Sequence, residues 1–432
     1  MWIINLISAC LTVATGTILL FRLRFFFIRH PFICIGRMAH LLLDRTRRRS
    51  LLLALAGTLG VGNIYGVALG IMLGGEGSVF WLFISSFFAM VVKYSESVVA
   101  VSDNSHGRGM MLSIERALGR SGKPIAIAYA VAMLFLSLFM GGFVQSDSFI
   151  ISVTYLFPIN EILISILFLL PVILVILGGG EGIKNATEAL IPIATIFYVI
   201  ISLIVIIKDA SRLSGVVSRI ISAALAPTSM LFGILPVVSY SAVSQGFARG
   251  LLSNEAGVGS SAMAHSEEST NASDAGLFGV LEILFDTNLL CIITALVILC
   301  EVENPALASS PMALVFSAFR SGAGEMSLVL LLVCIALFAY STVICWYYYG
   351  LRALSYLSFD SSTKVYGIAF CIFLFAPSIF SGIGAIYVSD ILLLLMSMPT
   401  LYCLFINRKS IEQITDTAGL LGKKSKVKSS KM

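Results

Sequence analysis

Three short stretches hold the residues best placed to do chemistry in this 432-residue chain. The first reads Ala56-Gly57-Thr58-Leu59-Gly60-Val61-Gly62-Asn63-Ile64-Tyr65-Gly66, four glycines and an asparagine inside an otherwise apolar run. Each glycine weakens a continuous helix by about 1 kcal/mol relative to alanine, so an interruption is predicted here. Unpaired backbone at membrane depth is tolerated only where protein buries it or it lines a cavity, and such a break points to an ion or substrate site. Packing is the plainer alternative: Gly62, Gly66, Gly70 and Gly74 recur every four residues and give one smooth face for a neighbouring helix. The two readings are compatible, because the stripe begins where the break ends. A nucleotide-binding loop is a poor reading, since no strand precedes these glycines and no Gly-Lys-Ser/Thr follows them.

The second stretch, Arg249-Gly250-Leu251-Leu252-Ser253-Asn254-Glu255-Ala256-Gly257, is too polar to span and too apolar for an ordinary loop. It predicts an unwound segment followed by a half-helix at about 256–265, with a simple interfacial loop as the alternative. The third is the pair Ser341-Thr342, whose usual behaviour in a membrane helix is to bond back to its own i−4 carbonyl. Ionisable residues within apolar runs need separate explanations. Lys93 and Glu96, three apart on one helix, are expected to pair locally. Asp147, Glu282, Asp286 and Asp390 have no such sequence-local partner and are candidate protonation sites, Asp286 foremost because it lies well inside its run. No nucleophile, base and orienter are grouped, and the four histidines, His30, His40, His106 and His265, fall outside the apolar runs, so an enzyme is not expected. The eight cysteines are scattered without metal or disulfide spacing.

The elements that must position these residues are membrane helices. The chain is 58% hydrophobic and only 12% charged, with a mean hydropathy of +0.98, against roughly 25% charged in a soluble domain. Apolar runs near the required length of about 20 residues lie at 2–21, 51–74, 78–102, 124–154, 162–177, 186–207, 231–248, 277–300, 326–349, 365–379 and 383–406. These predict an all-α polytopic membrane protein of about eleven transmembrane helices. The cluster Arg45, Arg47, Arg48 and Arg49, together with the tail residues Arg408, Lys409, Lys423, Lys424, Lys426, Lys428 and Lys431, must face the cytoplasm under the positive-inside rule. An odd number of spans then puts the N-terminus outside and the C-terminus inside. A cleaved signal peptide is disfavoured, because the first run has no basic segment before it and is too long.

Counted from Leu51, the first break lies in core helix one and the second in core helix six. That placement resembles a known transporter pattern of two five-helix repeats, each opening with a broken helix, and the odd number of spans between corresponding helices would make their topology inverted. The expected organisation is an extra N-terminal helix at 1–21, a basic cytoplasmic linker at 22–50, a first repeat at 51–207, an extracytoplasmic connection at 208–230, a second repeat at 231–406 and a basic cytoplasmic tail at 407–432.

The sequence resembles the alanine or glycine:cation symporter family. The resemblance rests on Gly57 to Gly66 running on into Gly74-Gly75-Glu76-Gly77-Ser78-Val79-Phe80-Trp81, on Arg249 to Ser260, and on Phe338-Ala339-Tyr340-Ser341-Thr342 with Trp346-Tyr347-Tyr348-Tyr349-Gly350. Weaker similarity joins these from about 51 to 406. Glu76 stands where the family usually has proline, the segment between core helices two and three is short, and the lead into the second break is bulkier, Pro236 included. These departures touch substrate identity more than fold. The resemblance implies the leucine-transporter-type fold and sodium-coupled symport of a small neutral amino acid, alanine or glycine, by alternating access.

It also implies site residues. A sodium ion would use the carbonyls of Ala56, Leu59 and Phe338 and the hydroxyls of Ser341 and Thr342. The substrate carboxylate would meet the amides around Gly60, Val61 and Gly62, at a half-helix N-terminus that favours anions. Asn63 would bridge ion and substrate, with Leu252 and Ser253 facing it from the second break. Gln145 and Trp346 match family positions around the pocket, with an interhelical hydrogen bond and plain core packing as their alternatives. Sodium is the coupling ion and no cofactor is expected. The partners are the amino acid, sodium and the lipid of a bacterial inner (plasma) membrane, with no nucleic acid. A proton-coupled amino-acid permease on the same fold is the nearest alternative, and a channel or membrane scaffold is disfavoured because it has no use for unpaired midplane backbone.

Overall fold

The computed structural model describes residues 2–103, 109–231, 235–238, 240–266, 271–358 and 362–421. His106 and the lysines at 423, 424, 426, 428 and 431 lie outside the described residues.

Helix α1 (Trp2–Arg22) is followed by a short α2 (Phe26–Arg29) and by α3 (Pro31–Leu43). The stretch expected as a linker is therefore helical. Proline at its first turn suits an α3 start, and the helix buries Cys34, Met38 and Leu41 while exposing Phe32, Ile33 and Ile35. Next come α4 (Arg45–Thr58) and α5 (Gly62–Gly74), which together make one span bent by 42°. Asp44 caps α4 by accepting from the N–H groups of Thr46 and Arg47. The order continues with α6 (Gly77–Ser102), the short α7 (Met110–Ala117), the helical run α8 (Gly119–Leu156), α9 (Glu161–Leu177), α10 (Gly179–Lys208) and the amphipathic α11 (Ala210–Leu225).

The expected helix at 231–248 is not formed as such. Strands β1 (Pro227–Leu231) and β2 (Leu235–Val238) pair antiparallel, and only then does α12 (Tyr240–Ser253) begin. Pro227 and Pro236 cannot donate the helical N–H bond, and Val237 and Val238 favour extended backbone. The second half then runs α13 (Ala262–His265), α14 (Ala272–Glu301), α15 (Pro311–Ala323), α16 (Glu325–Tyr356), α17 (Thr363–Phe375) and α18 (Ile383–Thr417). Helix α18 carries Arg408 and Lys409 within it, so the structured part extends beyond the tail boundary expected at 407.

Among the described residues, six single helices and the bent α4–α5 pair are long and apolar enough to cross a bilayer. Four of the eleven expected spans fall short of that test: α1, α9 and α17 as shorter apolar helices, and the α12 region because of the hairpin. The order of broken helix, long helix, short helix, long helix, short apolar helix, long helix nevertheless occurs twice, from α4 to α10 and from α12 to α18.

Helix α6 forms the centre, with α12 and α14 packed along it. Small residues permit the approach: a methyl added at Gly246 would fall 2.5 Å from the Ser78 carbonyl, and one at Gly279 would fall 2.7 Å from the Lys93 carbonyl. Outward faces of α9 and α10 carry exposed Leu167, Leu170, Leu174, Ile196, Phe197 and Ile204, the apolar belt a lipid-facing helix needs.

Candidate functional site

Helix α4 ends at Thr58 and α5 starts at Gly62, leaving Leu59, Gly60 and Val61 outside regular helix. Gly60 N–H turns back to the Thr58 carbonyl at 2.9 Å, so it leaves the Ala56 carbonyl without its usual i+4 donor. Among the described residues no backbone bond takes up the N–H of Val61. Gly60 lets the break approach its neighbours closely: an added methyl would lie 3.1 Å from Thr342 Oγ1 and 3.2 Å from Gln145 Oε1, so both side chains would have to give way.

The glycine stripe beyond the break does pack. A methyl at Gly70 would meet Arg249 Cγ at 3.2 Å, and one at Gly74 would meet Gln245 Cβ at 2.9 Å, so α12 lies in the groove and Arg249 runs along it. Gly62 faces nothing within 4 Å, so the stripe's contacts begin at Gly66.

Helix α16 closes over the first break. Thr342 Oγ1 donates to the Leu59 carbonyl at 3.3 Å and Trp346 Nε1 donates to Gly57 at 3.3 Å. Ser341 instead back-bonds to Phe338 at 2.9 Å. The two hydroxyls thus part company: one reaches the break, the other satisfies its own helix. Trp346 is fully buried and rests on Gly141, where even one added methyl would clash with its Cβ and Cγ. The wide π-helical turn of Ser137–Val144 supplies that space.

The second break is displaced from its expected place. Helix α12 continues through Arg249, Gly250 and Leu251 to Ser253, and the non-helical segment is 254–261. Glu255, Gly257 and Gly259 stand at φ +50°, +93° and +81°, a left-handed backbone that stops the helix. The half-helix is correspondingly short, α13 alone. The side chain of Leu252 lies outside the described residues.

Asn63 joins the two breaks. Its Oδ1 accepts from Ser253 Oγ at 2.6 Å, and its amide donates to Asp286 Oδ1 in the π-helical turn of α14. Thr287, next to Asp286, donates to Asn254 Oδ1 at 2.7 Å. Asp286 is fully buried, and among the described residues neither its Oδ2 nor Gln145 Oε1, beside Gly60, has a partner. Two unpartnered buried acceptors thus lie around the break, the deficit a positively charged group would fill.

Lys93 corrects the expectation of a local pair. Its Nζ bonds Ser261 at 2.8 Å and Glu282 at 3.4 Å, and it makes no ion pair with Glu96. Helix α14 crosses α6 so closely at Gly279 that Glu282 reaches the ammonium. His265, expected outside the spans, is buried against Glu282, with Nε2 2.5 Å from Oε1. Asp147 lies against Gly382, and Asp390 is buried in α18.

A broken apolar span and a second broken helix, with polar side chains gathered between the breaks, define a class: an α-helical secondary transporter. Solved structures agree on the fold. MhsT in complex with L-phenylalanine matches with a TM-score of 0.59 at 16% identity, covering 88% of this chain and 94% of that one. A manganese transporter mutant from Eremococcus coleocola matches with a TM-score of 0.53 at 16% identity, covering 87% and 80%.

The chain belongs to the sodium:alanine symporter family, whose model matches residues 1–427. It is thus a membrane sodium and amino-acid symporter rather than an enzyme. An uncharacterized transporter of Haemophilus influenzae is 31% identical over 84% of this chain and 81% of its own length. The sodium/alanine symporter AgcS of Methanococcus maripaludis is 31% identical over 77% and 75%. A probable sodium/glutamine symporter, GlnT of Bacillus subtilis, is 28% identical over 71% and 64%.

Proposed function

We propose that this protein carries a small neutral amino acid, alanine or glycine, with sodium across a bacterial inner membrane, by alternating access around the two breaks. The observation that carries this reading is the Ser253–Asn63–Asp286 chain, which ties both breaks to α14 and leaves an unpartnered carboxylate oxygen beside them. In this reading the substrate carboxylate sits on the amides of Gly60, Val61 and Gly62, where the α5 N-terminus favours negative charge. Its ammonium is accepted by Asp286 Oδ2 and Gln145 Oε1. Trp346 shapes the pocket from behind by holding Gly57, and Ser253 closes it from α12.

Sodium occupies the seam between α4 and α16, bound by the carbonyls of Ala56, Leu59 and Phe338 and the hydroxyls of Ser341 and Thr342. Oxygen ligands of this kind suit a hard cation. Support comes from Thr342 Oγ1, which already faces the Leu59 carbonyl, and from the Ala56 carbonyl, which has lost its usual donor. Ser341 joins by releasing its bond to Phe338. The doubled order of elements supports two five-helix repeats, 51–207 and 231–406, of opposite orientation, behind an extra N-terminal helix. In this reading the arginine-bearing start of α4 lies in the cytoplasm, with the N-terminus outside and the C-terminus inside, as the positive-inside rule favours.

Proteoliposomes loaded by an imposed sodium gradient test the reading. Inward sodium should drive uptake of labelled alanine or glycine, with lysine, glutamate and tryptophan competing poorly because no basic residue is assigned to the pocket and its walls are close. Glutamine as competitor separates the AgcS-like from the GlnT-like specificity. Uptake that ignores sodium and follows an imposed proton gradient alone would favour the proton-coupled permease.

A further inference from the structure

Behind the second break lies a group of ionisable side chains that sodium and substrate binding do not use. Lys93 and Glu96 from α6, Glu255 from the break, His265 from α13 and Glu282 from α14 are each at most 1% exposed. The ammonium of Lys93 and the Nε2 of His265 are both spent on Glu282. Glu255 Oε2 accepts from Ser260 Oγ. Among the described residues Glu96 is left with one donor, the N–H of Gly257, which meets its Oε1 at 2.7 Å, and its Oε2 is buried without a partner. Three carboxyls therefore face one ammonium in a space that excludes water. An ionised carboxylate with half of its oxygens unsatisfied is too costly there, whereas the neutral acid is not.

We propose that Glu96 Oε2 is a proton-binding site, and that the proton it carries is tied to the position of the second break. The link is the Gly257 N–H, which is held on Glu96 only while 254–261 keeps its left-handed turns. Proton binding forms one O–H bond on Oε2, and release returns the proton to water once movement of the break opens the space. The other groups facing Glu96 set how readily it ionises. Lys93 stands on the same helix, Glu255 on the break and Glu282 on α14, while the phenol of Tyr129 on α8 donates to the neighbouring Val258 carbonyl. His265 acts through Glu282. This goes beyond sodium coupling, because it gives the protein a second ion to which transport responds.

The test compares wild type with Glu96→Gln, which keeps the bond from Gly257 and mimics the neutral acid. Infrared difference spectra of the reconstituted protein between neutral and alkaline pH should contain a protonated-carboxyl carbonyl band that shifts in heavy water and is missing from Glu96→Gln. Sodium-driven uptake by wild type should fall at alkaline pH by up to about tenfold per pH unit, as the protonated fraction does, while Glu96→Gln stays flat. Should that variant not fold, Glu255→Gln is the second probe: it removes a nearby negative charge without unpairing Lys93 from Glu282, so Glu96 ionises more easily and the alkaline limb moves to lower pH. An unchanged carboxyl band in Glu96→Gln, or an alkaline limb that neither variant alters, overturns the proposal. The infrared measurement needs no uptake, so a failure of sodium coupling cannot be mistaken for a failure of the proton site.

Discussion

Two charged regions of this protein use the same side chains to different ends. At the start of α4 the arginines form a belt. Arg45 meets Glu188 at 3.1 Å, Arg49 meets Glu188 at 3.3 Å and Glu181 at 3.1 Å, and Arg47 meets Asp274 at 3.5 Å, which Arg37 of α3 also meets at 2.6 Å. These pairs are partly open to solvent, Arg45 being 74% exposed, and several share one acid, so any one of them is replaceable. Around Gly257 the distances are similar, but both partners of the Lys93–Glu282 pair are 0% exposed. There the attraction is offset by desolvation, and what matters is that no charge be left alone. The belt ties the ends of α4, α10 and α14 together, whereas the buried group fixes a charge state.

Lys93→Met breaks this contrast most severely. It leaves Glu282 without its ammonium and should cost on the order of 3–5 kcal/mol, read as a large fall in thermal stability in detergent. The double variant Lys93→Met with Glu282→Gln should recover much of it, since both charges leave together. If the single variant is as stable as wild type, the buried group is not the coupled unit described.

Arg45→Gln sharpens the contrast from the other side. An exposed pair screened by water contributes little, so stability should barely move, and raising the salt should erase what difference there is. A loss comparable to that of Lys93→Met would mean that the belt is far drier than its exposure indicates.

How much of this was legible in the sequence differs between the two breaks. The first announces itself, because Gly57, Gly60, Gly62 and Asn63 are locally hostile to helix and the interruption falls among them at Leu59–Val61. The second is legible too, but the helix ends later than its residues suggest, at Ser253. Gly250 marks close packing on α6, where an added methyl would lie within 3.1 Å of the Leu82 carbonyl, and the helix stops only where Glu255 and Gly257 turn left-handed. Helical spacing suggested Lys93 with Glu96, yet a neighbouring helix supplied the partner, a contact that no local pattern can reveal. His265 was missed for the same reason: in sequence it sits in a polar stretch, in space against Glu282. Asp286 was singled out by its depth alone, while its bond to Asn63 needed the fold.

The most direct test of the central claim, that sodium is held at the seam between the first break and α16, is the sodium dependence of uptake by Thr342→Val and Thr342→Ser. Thr342→Val keeps the shape and removes one of about five oxygen ligands, which costs roughly 1–3 kcal/mol, or about tenfold to a hundredfold in the apparent sodium constant. Thr342→Ser keeps the oxygen and should stay close to wild type, with both variants expressed normally. If Thr342→Val transports with wild-type sodium affinity, Thr342 only packs against the Leu59 carbonyl and the ion lies elsewhere.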